Sequence, residues 1–123
     1  MTAPQMRLLV AVIHDAERLD EVLSGFLELG ITGATILNSE GMGSMLSQDI
    51  PIFAGLRTLV GAARPQNRLI LSVISRDKVD AAVGLLQDVC GSLDAPGTGI
   101  AFTLPVDGVF GLAPELGDEK SPI

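Results

Sequence analysis

The 123-residue sequence has no Trp, no Tyr and only four Phe. Lys and Arg total eight against fifteen Asp and Glu, a formal charge of −7 with a pI near 4.4. Nucleic-acid binding draws on a basic face and stacking aromatics, so this composition argues against that class. A single cysteine, Cys90, excludes an intramolecular disulfide, and a single histidine, His14, leaves no Cys/His set for zinc within one chain. Any Ser-His-Asp arrangement would depend on that one imidazole. The sequence places no nucleophile–base pair and no carboxylate pair together, so the expectation is a protein that is not an enzyme, with no catalytic and no metal-ligating residues. No apolar run reaches the ~20 residues of a membrane helix. Met1 to Val10 shows no basic segment leading into a long apolar one, so a cytoplasmic location without membrane insertion is expected.

What is present is aliphatic. Hydrophobic residues make up 47% of the chain and mean hydropathy is +0.45, more than one small core needs. Arg7 to Ile13, Ile31 to Leu37, Arg68 to Ile74 and Ile100 to Leu104 are short, β-branched-rich runs that predict four strands. Pro105 should mark the end or the edge of the last one. Leu19, Val22, Leu23, Phe26 and Leu27 form one helical stripe after an Asp15 cap, closed by Gly30. Val79, Ala82, Val83, Leu86, Val89 and Cys90 form a second, capped by Ser75 or Asp77 and closed by Gly91. Between the halves, residues 38–66 keep no period and carry Gly, Pro and mixed apolar residues. A connection this long inside a compact domain is usually functional or mobile.

The order β-α-β, long loop, β-α-β repeats itself: Val12-Ile13 leading to Leu19-Asp20 parallels Val73-Ile74 leading to Val79-Asp80. A split β-α-β repeat specifies an α+β, ferredoxin-like βαββαβ sandwich, with a four-stranded antiparallel sheet and two helices on one face. One domain over residues 1–112 and a flexible tail over 113–123 are expected. All four strands read as nearly continuous apolar runs, so the sheet face away from the helices should pack on other copies of the chain. Cys90, on the second helical stripe, reads as an inert core thiol. His14 reads as a structural hydrogen-bonding group.

Three segments carry a resemblance: Leu29-Gly-Ile-Thr-Gly-Ala-Thr-Ile36, Glu40-Gly-Met-Gly43, and Pro96-Gly-Thr-Gly-Ile-Ala-Phe102 followed by Pro105-Val106. In this order and spacing, over residues 6 to 112, the chain resembles the PII signalling proteins, the nitrogen regulatory proteins, and their PII-like superfamily. The resemblance implies a trimer, an adenine nucleotide (ADP, AMP or ATP) in clefts between subunits, and a long T-loop, here about 38–66, that docks on a transporter or an enzyme as the regulated partner. It implies ligand contacts from Gly41 and Gly43 at the T-loop base and from Pro96, Gly97, Thr98 and Gly99 in the B-loop.

The chain also departs from that pattern. Ile100 stands where nucleotide-binding members carry a Lys after the B-loop Gly-x-Gly. Phe110-Gly-Leu-Ala113 stands where they carry Arg-x-Arg, and Met45 where a Gln follows the T-loop Gly-x-Gly. With no Tyr, the uridylylated position of some members has no counterpart. No Lys or Arg occurs from Gly91 to Ala113, whereas a polyphosphate calls for cations as well as backbone donors. Arg57, Arg64 and Arg68 against Glu40 and Asp49 give residues 40–68 a charge of +1 while the rest carries −8. These arginines are candidate anion contacts, with solvated surface charge as the plain alternative. Three readings therefore stay open: a ligand-sensing regulatory trimer, a ligand-free interaction trimer, and a metal- or small-anion-responsive trimer of the same fold.

Overall fold

A computed structural model describes residues 5–42 and 67–115. Strand β1 (Met6–Ile13) leads through a 3-10 turn (Ala16–Arg18) into helix α1 (Leu19–Glu28) and then strand β2 (Thr35–Ser39). The second half repeats the plan. Strand β3 (Asn67–Ser75) leads through a 3-10 turn (Arg76–Lys78) into α2 (Val79–Cys90) and strand β4 (Gly99–Val106). The sheet order is β2-β3-β1-β4, every neighbouring pair antiparallel. This is the expected α+β ferredoxin-like sandwich.

Local chemistry explains the element boundaries. The Asp15 carboxylate accepts the Glu17 N–H at 3.1 Å, so the predicted cap holds, acting on the 3-10 turn that opens the helix. α1 ends in a Schellman arrangement. Gly30 takes φ +88°, its N–H reaches the Leu27 carbonyl at 2.9 Å, and the Ile31 N–H reaches the Phe26 carbonyl at 2.9 Å. Ile31 and Phe26 are both buried, which supplies the apolar contact that accompanies this cap. That commitment is why β2 starts at Thr35 and not at Ile31 as the apolar run suggested.

Ser75 was a candidate cap for α2, but its side chain makes no capping bond. Its hydroxyl and its N–H both donate to the Glu115 carboxylate, at 2.7 and 3.0 Å, and Lys78 Nζ lies 3.5 Å from the same group. The Thr32 hydroxyl donates to the Pro114 carbonyl at 2.9 Å. After β4 at one sheet edge, the chain therefore reaches the end of β3 and the segment before β2. Residues 113–115 were expected in a flexible tail. Pro114 and Glu115, within the described part of that segment, make three hydrogen bonds and an ion pair. Pro105 lies inside β4 opposite Arg7, one residue before the strand ends. β4 is an edge strand and needs only part of its N–H groups, so a proline is accommodated there.

The core lies between the helices and one sheet face. Leu9, Ala11, Ile13, Ile70 and Ile74 meet Val22, Phe26, Ala82 and Leu86, with Ile31 closing one end. Ser72 is also buried there, its hydroxyl donating to the Gly33 carbonyl at 2.5 Å. α1 and α2 approach closely at Gly25, where an added Cβ would strike the Leu85 side chain. Among the described residues, no helix covers the opposite sheet face. Leu8, Val10 and Val12 on β1 face Leu104, Phe102 and Ile100 on β4, and Val73, Leu71 and Leu69 on β3. Leu37 continues the row on β2.

Candidate functional site

One end of the sheet gathers most of the described candidate residues. There β1 and β2 finish, and β3 and β4 begin. Ile13 pairs with Arg68 on one side and Gly99 on the other, and Ser39 pairs with Asn67. Arg68 and Gly99 are thus two strand spacings apart, about 10 Å. Gly41 lies just beyond β2, where an added Cβ would sit 3.5 Å from Asn67 Nδ2. The two ends of the long connection, Gly41 and Asn67, therefore lie close together, with room between them for a methyl in van der Waals contact. Gly43, Arg57 and Arg64 lie outside the described residues.

Asn67 is the residue that sequence reasoning missed. It is 5% exposed, and its Oδ1 is 3.0 Å from His14 Nδ1. Carbonyl oxygen accepts, so the Nδ1 atom of His14 carries the proton in this bond. The reading of His14 as a structural hydrogen-bonding group agrees with this placement. The only sequence signal for Asn67 was its position: a polar residue directly before an apolar strand and directly after a long loop. The pair links the end of β1 to the start of β3, at the point where the long connection returns.

Gly99 is fixed by sterics. It has φ +146°, and a Cβ there would collide with the Val12 carbonyl oxygen. The turn before it contains Pro96, exposed, and Gly97 (φ +79°) and Thr98, both half-buried. This turn brings backbone close to the β1 end without side-chain bulk, as an anion or nucleotide cradle needs. The cationic groups of such a cradle are sparse. Arg68 is half-buried, its Nη1 donates to the Asn67 carbonyl at 3.4 Å, and no carboxylate among the described residues pairs with it. Ile100 is 56% exposed and turned to the open sheet face. The residue directly after the Gly97-Thr98-Gly99 turn therefore presents an aliphatic side chain, not a cation, to this face.

Among the described residues, no three His, Cys, Asp or Glu side chains gather as metal ligands would. No helix there is long and apolar enough to cross a membrane. Burial pushes the Cys90 thiol above its ordinary range, with Asp15 and Glu21 adding to the shift and Arg18 opposing it. A thiol held protonated is a poor nucleophile.

Comparison with known proteins agrees with the fold. The model of the family described as nitrogen regulatory protein P-II matches residues 6–115, and the chain belongs to that family. The solved structures include a crystal structure of Arabidopsis thaliana PII bound to citrate. It superposes with a TM-score of 0.58 at 19% identity, covering 84% of this chain and 78% of that one. No curated protein matches the sequence.

Proposed function

We propose that this chain forms a homotrimeric regulatory protein that senses a small ligand at the glycine-lined sheet end and controls a partner protein through residues 38–66. The ligand class is an adenine nucleotide, held in a cleft between subunits. The carrying observation is that Gly41, Asn67, Arg68 and Gly97–Gly99 share one sheet end, the end at which the long connection leaves β2 and rejoins β3. A ligand seated there touches the two points where that connection leaves and rejoins the sheet. It controls the connection by binding one of its arrangements better than another. The regulated partner, a transporter or an enzyme, reads the arrangement. Family membership supports the regulatory role, and the bare apolar sheet face supports the trimer.

A second reading is favoured by one feature. Residues 91–113 carry no cation, so a polyphosphate is poorly matched to the turn before β4. A monophosphate or another small anion asks for less compensation, and a ligand-free interaction trimer asks for none. Calorimetric titration with ATP, ADP, AMP and cyclic AMP, with and without Mg²⁺, separates these readings. Saturable nucleotide binding that is lost in Gly97→Asp and weakened in Arg68→Gln is the expected result. Trimer mass with no binding to any of the four turns the assignment to a ligand-free interaction protein. A monomer at micromolar concentration overturns the intersubunit site altogether.

A further inference from the structure

The opposite end of β1 holds a cavity of about 330 Å³ lined by Arg7, Arg76, Val79, Asp80 and Thr103. Arg7 is the second residue of β1, and Ile13 closes the strand six residues later, so this cavity is about 20 Å from the glycine-lined end. Arg7 and Thr103 project to the helix side of the sheet, as Leu9 does, near the free edge of β4. The 3-10 turn and the first residues of α2 supply the rest of the wall.

The electrostatics of this wall are unbalanced. Arg7 is half-buried, and no ion pair or hydrogen bond engages its guanidinium among the described residues. Arg76 is held in place: its N–H donates to the Gln5 carbonyl at 2.8 Å and its Nη1 to Gln5 Oε1 at 3.0 Å. That leaves most of its five donors unused. Asp80 lines the same cavity but comes within 4.0 Å of neither arginine. Lys78, the next cation along the turn, is instead engaged by Glu115. Arg7, half-buried, and Arg76, exposed, thus line one small cavity on a chain whose net charge is −7. Withdrawing an arginine partly from water is costly unless an anion compensates it, and a guanidinium offers paired donors that match phosphate and carboxylate geometry.

We propose that this cavity is a second ligand site, for a small oxyanion carrying at least two negative charges, such as a phosphate ester or a polycarboxylate. Arg7 and Arg76 bind its oxygens, the Thr103 hydroxyl adds a neutral donor, and Asp80 limits affinity by repulsion. Asp80 also favours ligands with a hydroxyl or ammonium group to donate to it. The site is independent of the nucleotide reading, because it shares no residue with Gly41, Asn67, Arg68 or Gly97–Gly99.

The test is titration of the full chain with inorganic phosphate, pyrophosphate and citrate, followed by calorimetry and by backbone amide shifts. At least one probe is expected to bind saturably, with shifts at Arg7, Arg76 and Thr103. Arg76→Gln and Arg7→Gln should each weaken binding about tenfold, whereas Arg68→Gln at the other end leaves it unchanged. Preference for pyrophosphate or for citrate distinguishes a phosphate source from a carboxylate one. Asp80→Asn should tighten binding about three- to tenfold, a gain that misfolding cannot produce. The proposal is overturned if none of the three probes binds saturably. It is equally overturned if binding is indifferent to Arg7→Gln, Arg76→Gln and Asp80→Asn.

Discussion

The two faces of the sheet are built from similar side chains and finished in different ways. On the helix face, Leu9, Ala11, Ile70 and Ile74 are 0% exposed beneath Val22, Phe26 and Leu86. On the other face, Ile100, Phe102 and Leu104 remain 56%, 46% and 45% exposed. Even there the middle is dry, since Val10 is 8% exposed between Leu71 and Phe102. The first face completes itself within one chain. The second has the same chemistry with no covering layer among the described residues, and exposed apolar surface of this continuity is the kind that association sites present. In the proposed trimer, stability from the first face is unimolecular, whereas stability from the second depends on protein concentration.

Neighbouring residues of β1 break the comparison most directly. Leu9→Ala removes a fully buried side chain and should cost about 2–5 kcal/mol at any protein concentration, read by denaturant unfolding. Leu8→Ala, one residue away on the bare face, should cost less, and its cost should grow with protein concentration. Equal, concentration-independent losses would show that the two faces are not energetically distinct. Phe102→Asp, at the middle of the bare face, should leave the far-ultraviolet circular dichroism intact. If the proposed trimer is packed through this face, the variant should lower the mass in sedimentation from trimer to monomer, because a buried unpaired carboxylate in each subunit opposes assembly. A mass unchanged by Phe102→Asp removes this face from the interface.

The alternation behind this contrast was hard to see in the sequence. Strands apolar on both faces show no period of two, so the four strands and both helices were legible while the face of each residue was not. Ile31 looked like strand because it is aliphatic; its role is to pack on Phe26 in the helix cap, and tertiary packing overrode the run. The glycines of the candidate site were legible because their spacing is distinctive. Asn67 was not, since nothing local distinguishes a buried asparagine that meets His14 from a solvated one. Glu115 was read as tail for the same reason: its partners Ser75 and Lys78 lie 40 and 37 positions earlier, and no local pattern announces such a contact.

Glu115 gives a smaller effect on the side of the sheet end away from the glycines. Its side chain is 15% exposed, and its carboxylate accepts from the Ser75 N–H and hydroxyl. Glu115→Ala should cost about 1–3 kcal/mol, because Ser75 is buried and would lose its acceptor. Hydrogen exchange at the Ser75 amide should rise in the same variant. Unchanged exchange there would mean that the strap contributes nothing to holding the end of β3.

The smallest effect tests how far dryness extends on the helix side. Cys90 is the last residue of α2, at the rim of that layer, packed against the core but not within it. If the rim were wet, its thiol would titrate like a free one and react readily near neutral pH. Burial instead raises its pKa, so the thiolate is scarcer than in an unfolded chain. The sign follows from which form the fold favours. The protonated thiol is favoured, so this contribution is complete below the ordinary thiol range and is lost as pH rises through the raised value. Alkylation of the native protein by iodoacetamide should therefore be slower than that of the urea-unfolded chain at pH 8. The gap should narrow as pH climbs beyond the ordinary thiol range. Equal rates at pH 8 would place water at the rim of α2 and confine the dry region to the buried residues around Phe26 and Leu86.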